Sequence, residues 1–386
     1  MNSQERVWLA LNLEPVDRVP IHSVAVDGNI CDNVLGKPPR SAFDIFNEFE
    51  EQYPDDWVER VNDIITEIEI NVFSRAMETA AAIGYDACGI GYIPFKFENK
   101  QRMTDIFGRV YKIINNHGHI FPYYIDGQIR NQEDWEKFPK PDLKEIYKRA
   151  KKLYKTITRR SKKFKNPNLC IMAQDDYTSV FPPVWQGMGM NAFAVALRKN
   201  PRLIQERFEQ TTEIVLGLFK TYAEAGAKIF FEGGDIAFKS GPLINPKYIN
   251  QYVLPCMKRV TDAVHEWGGK IIFHSDGDIT SLLDFVVDAG FDGLHCLEPP
   301  YVDLNLVKKK VGDKLCLLGN IDTSHVLVKG TQKEVENAVK LAIRALGPNG
   351  GYILSPSNSH PAMSYQRIKW MIEATIRLGK YPLQLN

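Results

Sequence analysis

Four side chains carry the clearest chemical signal in this chain: His274, Asp276, Glu298 and His360. His274 and Asp276 are two residues apart at the end of an apolar run, so on an extended strand they share one face. Glu298 ends the next apolar run, and His360 follows the last one. Two imidazoles with one or two carboxylates form a donor set for a divalent metal ion. The competing reading makes His274 a hydrogen-bonded core residue and Glu298 the cap of a backbone turn. That reading suits a lone histidine better than four polar residues all placed at run ends.

The elements that must position these residues repeat along the chain. Eight short apolar runs read as strands, at 18–24, 86–92, 168–174, 228–232, 270–274, 293–297, 314–319 and 351–354. Several are continuously apolar, Ile271-Ile272-Phe273 and Leu315-Cys316-Leu317-Leu318 among them, as in strands covered on both faces. Helical spacing fills the connectors at 201–225, 245–267, 279–289 and 331–346, the last opening with Thr331 and Glu334 in a capping-box relation. Eight strand–helix units predict an α/β fold of the (β/α)8 TIM-barrel type. A doubly wound open sheet is second choice, since no G-x-G-x-x-G joins a strand to a helix. The reading is a single domain over 1–386, with a mostly helical insertion at about 40–84 and hairpins at about 96–135.

Barrel enzymes keep their chemistry at the C-terminal ends of the strands. Here those ends read Gln174-Asp175-Asp176-Tyr177, Glu232-Gly233-Gly234-Asp235, His274-Ser275-Asp276, Glu298-Pro299-Pro300, Asn320-Ile321-Asp322 and 355–360. The strand entries are plain Gly-Gly-Lys or Gly-Asp-Lys. A polar rim on one side only points to an enzyme.

Composition excludes other classes. The chain has 386 residues, 44% hydrophobic and 25% charged, which is ordinary globular usage with room for a large core. Its 48 Lys+Arg against 47 Asp+Glu give a net charge of +1 and no global attraction to nucleic acid or membranes. There is no run of spanning length and no apolar leader, so the expected location is the cytoplasm. Six cysteines without a C-x-x-C pair support neither a disulfide framework nor a Cys-based zinc ribbon, and Cys296 reads as a small hydrophobe. Eleven Lys/Arg between 144 and 165 read as a solvated helix with Ile146, Leu153, Ile157 and Phe164 turned inward, ahead of an anion-docking face.

Further motifs give a resemblance. Glu5-Arg6-Val7, Pro15-Val16-Asp17-Arg18-Val19-Pro20, Gly233-Gly234-Asp235, Gly241-Pro242, His274-Ser275-Asp276-Gly277 and Gly319-Asn320-Ile321-Asp322 resemble the uroporphyrinogen decarboxylase-like superfamily, in its methyltransferase branch. The resemblance implies the same barrel. True decarboxylases of the superfamily carry an arginine-rich loop after strand one, whereas His22-Ser23-Val24-Ala25-Val26-Asp27-Gly28-Asn29 has no arginine. Its zinc methyltransferases carry His-x-Cys at strand five and a Cys after strand eight, and the related cobalamin-independent methionine synthases add a Glu between. Here the pattern is His274-x-Asp276, Glu298 and His360, with both thiolates replaced.

Imidazole and carboxylate ligands make a harder, oxygen-preferring ion than thiolates do. The resemblance therefore implies zinc, a methoxylated aromatic substrate and a methyl-accepting corrinoid on a separate small protein. Asp235 and Asp176 would hydrogen-bond the ligating imidazoles or the substrate. Asn320, with Asn358, would bind polar substituents, although Asn320-Ile321-Asp322 reads equally well as a helix cap or turn. Tyr177, Phe181 and Trp185, with Met188 and Met190, would wall an aromatic substrate or face the corrinoid, ordinary packing being the alternative. The rival functions are a metal-free decarboxylase of the uroporphyrinogen type and a non-catalytic ligand-binding module. A homodimer is compatible with these features, but no residue specifies one.

Overall fold

The computed structural model describes residues 1–38, 40–116, 119–175 and 177–384. Eight parallel strands form the barrel: β1 (His22–Ser23), β2 (Ala87–Ile90), β3 (Cys170–Gln174), β4 (Ile229–Gly233), β5 (Lys270–His274), β6 (Gly293–His295), β7 (Cys316–Ile321) and β8 (Tyr352–Pro356). They pair in chain order. A single parallel bridge, Ile21 to Leu354, brings the first edge to the last, so the barrel is nearly closed.

Alternation along each strand divides the core in two, as period-2 side chains require. Cys170, Met172, Ile229, Phe231, Ile272, Cys316, Leu318 and Ile353 fill the interior. Val7, Ala10 and Leu11 of the helix Ser3–Leu11 plug its N-terminal end. The intervening residues, such as Ile171, Phe230, Phe273, Leu317 and Leu354, pack outward against the helices. The same alternation turns the last residues of several strands inward at the C-terminal end, where interior filling gives way to polar groups.

The opening motif is a clamp that fixes β1 to β2. Arg6 donates from Nε and Nη2 to Asp17 (2.6 and 2.8 Å) and from Nη1 to Asp86 (2.8 Å). Arg18 grips both oxygens of Asp86 (2.7 and 2.9 Å), and the Ile21 N–H donates to the same carboxylate (2.9 Å). Asp86 is 1% exposed, so every lone pair it brings into the protein has to be met by such donors.

Helices Ala42–Gln52 and Trp57–Ile83 lie between β1 and β2, and a four-stranded antiparallel sheet within residues 95–127 follows β2. The basic stretch is the helix Leu143–Ser161, with Ile146, Leu153 and Ile157 buried and lysines paired to Glu145, Glu67 and Glu224. The helical segment expected at 245–267 is interrupted by a π-turn at Ile249–Val253. Strand six ends at His295, two residues before the expected end, which changes what reaches the mouth. Among the described residues, no helix is long and apolar enough to cross a membrane.

Candidate metal centre

Phe231, His274 and His295 stand side by side on β4, β5 and β6, with ring centroids 5.8 Å (Phe231–His274), 4.9 Å (His274–His295) and 5.5 Å (Phe231–His295) apart. His22 of β1 joins them, its ring edge-on to His295 at 5.5 Å. The register pairs His274 directly with His295, which explains why these two imidazoles meet. Their Nδ1 atoms are 2.7 Å apart, a hydrogen bond in which one ring donates and the other accepts. His295 Nε2 lies 3.0 Å from Ser355 Oγ and 3.3 Å from the Pro356 carbonyl oxygen.

The other nitrogen of His274 faces carboxylates. Nε2 is 3.5 Å from Asp235 Oδ1 and 3.7 Å from Asp276 Oδ1. The loops after β4 and β5 are tied together, because the Asp276 N–H donates to Asp235 Oδ1 (2.9 Å). Asn358, in the loop after β8, donates from Nδ2 to Asp276 Oδ2 (2.7 Å). The Cys296 thiol donates to Asp276 Oδ1 (3.2 Å). One atom from each of Asp235, His274 and Asp276 falls within 4.8 Å of the other two, and His274, His295 and Cys296 form a second such group.

Burial, with the charge of Asp235 adding to it and His274 opposing, pushes the Asp276 carboxyl up to about 6. Burial, followed by the charge of His274, takes His22 down to about 3. His295 is also driven well below the usual histidine range, by burial first and then by His274 and His22. Burial thus keeps the imidazoles of His22 and His295 uncharged beside His274, and Asp235 and Asp276 crowd its far nitrogen. A divalent cation would relieve that crowding, and one imidazole nitrogen with two carboxylate oxygens is a donor set that zinc accepts.

The remaining predicted residues are distributed more widely. Glu298 Oε2 accepts from the Gly277 N–H (2.6 Å), and Glu298 stands outside both groups. So does His360, whose backbone N–H donates to Asp27 (3.2 Å) while its Nδ1 accepts from the Ala362 N–H (3.1 Å). Asn320 donates to the Leu297 carbonyl oxygen (3.0 Å). Tyr177 is half-buried with its ring 5.0 Å from Phe95, and Trp185 is half-buried with its ring 5.8 Å from Tyr124. Phe181 is fully buried between Phe193 and Phe208. Asp176 lies outside the described residues.

Sequence reasoning missed His22, His295 and Cys296. His295 and Cys296 lie inside the short apolar run 293–297, which reads as a strand. The usable signal was a histidine at the end of β6, in register with the one at the end of β5.

A family model described as "Uroporphyrinogen decarboxylase (URO-D)" matches residues 107–378. The chain is 24% identical over 177 residues to a methylcobamide:CoM methyltransferase, MtaA, of Methanosarcina barkeri, covering 46% of this chain and 49% of that protein. It is 24% identical over 155 residues to a methylated-thiol–coenzyme M methyltransferase of Methanosarcina mazei, covering 40% of each. The chain thus spans about half the length, or less, of these curated relatives. A solved methyltransferase structure from Methanosarcina mazei superposes with a TM-score of 0.73, covering 98% of this chain and 99% of that one, at 17% identity. At that identity the likeness carries the fold.

Proposed function

The chain belongs to the uroporphyrinogen decarboxylase family, and from that membership and the geometry of the mouth we propose a corrinoid-dependent methyltransferase that demethylates a methoxylated aromatic compound at a zinc site. The observation that carries this reading is the convergence of His274 Nε2 with the oxygens of Asp235 and Asp276. Nitrogen and carboxylate donors favour an ion that grips oxygen, and they differ from the thiolate pattern that suits a thiol substrate. The names of both Methanosarcina relatives support methyl transfer, and that of the Methanosarcina barkeri protein, a methylcobamide:CoM methyltransferase, supports a corrinoid as the partner.

In this reading His274, Asp235 and Asp276 hold the metal, with Glu298 and His360 as further donors if their side chains turn toward it. Zinc held there supplies Lewis acidity that draws electrons from an ether oxygen. A reduced corrinoid on a separate protein would be the methyl acceptor, and the oxygen released from the ether would take up a proton from solvent. Asn358 keeps Asp276 aimed at the ion through its 2.7 Å hydrogen bond. Cys296 engages Asp276 as a buried thiol donor, and so leaves the exposed side of the site to oxygen and nitrogen. Tyr177 and Trp185 are half-buried aromatic surface for a ring, whereas Phe181 is buried between Phe193 and Phe208. Asn320 adds a polar group at the end of β7.

The experiment offers purified protein a reduced corrinoid protein with either a panel of methoxylated aromatics or a methylated thiol. The expected result is a free phenol and a methylated corrinoid, formed together and only when both partners are present. Turnover of the thiol alone would overturn the oxygen specificity. Turnover of uroporphyrinogen without metal or corrinoid would establish the decarboxylase reading instead.

A further inference from the structure

We infer that His295 is a positioning residue, which holds His274 in the tautomer that turns a bare Nε2 toward Asp235 and Asp276. This rests on the reading of His274 as a metal ligand, and it adds a residue that neither the donor set nor the sequence pattern contains.

The hydrogen bonds fix the protons one after another. The Pro356 carbonyl oxygen can only accept, and it lies 3.3 Å from His295 Nε2. A bare Nε2 there would set a lone pair against a lone pair, so Nε2 carries the proton, with Ser355 Oγ at 3.0 Å as a second acceptor. Neutral His295 then presents a bare Nδ1. That atom is 2.7 Å from Nδ1 of His274, and only one proton fits between them. His274 must supply it. With Nδ1 committed to His295, the Nε2 of His274 is the nitrogen left for a metal.

Packing keeps this arrangement from rotating away. Phe231 stacks on His274 with 27° between the ring planes, and His22 meets His295 nearly at right angles, at 86°. His295 is 0% exposed, so no water competes for its nitrogens from outside. Among the described residues neither nitrogen of His22 has a hydrogen-bond partner, so the chain runs through His295 alone. Ligating histidines generally need such an acceptor on the far ring nitrogen, and losing it costs about 10–100-fold in metal affinity.

Two measurements on the full-length protein test this. In metal-free protein labelled with 15N-histidine, His274 is expected to carry its proton on Nδ1 and His295 on Nε2. Zinc affinity, measured by competition with a chromophoric chelator, is expected to fall about 10–100-fold in His295→Phe, and His295→Gln, which restores an acceptor, should recover part of the loss. A bare Nδ1 on His274 in the wild-type protein would overturn the inference whether or not His295→Phe folds. Unchanged zinc affinity in a folded His295→Phe would overturn it too. A wild-type protein that shows the expected tautomers and binds no zinc would overturn the metal reading and leave the positioning role standing.

Discussion

Replacing His274 with alanine is expected to reduce kcat/KM for methyl transfer by about 10³-fold or more. A metal acting as a Lewis acid contributes several kcal/mol of transition-state stabilisation, and about 4 kcal/mol corresponds to roughly three orders of magnitude. Among the described residues His274 is shared by both donor groups, and its Nε2 faces Asp235 and Asp276. Without it Asp235 and Asp276 keep their mutual hydrogen bond but hold an ion through oxygens alone. The check is steady-state kinetics with metal analysis and an unfolding curve on the same preparation, because the residue is buried and removal of its side chain also leaves a small cavity. A folded variant that keeps its metal and more than a tenth of its activity would contradict the assignment.

The second large effect concerns stability. Asp86→Ala is expected to cost about 3–5 kcal/mol, the usual consequence of removing one partner from a buried ion pair. The cost comes from what is left behind. Arg6 and Arg18 both direct N–H groups at the Asp86 carboxylate, and their side chains are only 7% and 18% exposed. The same carboxylate accepts from the Ile21 N–H and the Ser3 hydroxyl, so the loss would also loosen β1 against β2. Chemical denaturation monitored by circular dichroism reads this directly, and a loss below about 1 kcal/mol would show the cluster to be an ordinary surface pair. The Arg6, Asp17 and Arg18 motif in the sequence thus has a physical meaning, since it ties β1 to the start of β2 through Asp86.

The architecture was legible because apolar runs and their period survive local error. β5 has the bounds expected for it, and β3, β4 and β8 differ by one or two residues at their ends. The capping box at Thr331 and Glu334 forms as written. The mouth was harder to read. Because β6 ends two residues before the apolar run does, His295 is the last residue of the strand and stands opposite His274 at the mouth. His295 and Cys296 passed as core because the run continues past that end.

The rule that chemistry gathers at strand ends locates residues, but it says nothing about where a side chain turns once the strand has ended. Asp235 and Asp276 turn toward His274, whereas Glu298 turns back to a backbone N–H and His360 is engaged by Asp27 and Ala362. Phe181 shows the same limit: its loop follows β3 to the mouth, but its ring packs between Phe193 and Phe208.

The central claim is that one divalent ion sits between His274, Asp235 and Asp276. X-ray absorption spectroscopy of the purified, zinc-loaded protein tests it most directly. The account expects about one equivalent of zinc with a coordination shell of nitrogen and oxygen near 2.0–2.2 Å, abolished in His274→Ala. A shell dominated by sulfur near 2.3 Å would contradict it, and so would zinc that binds equally well without His274.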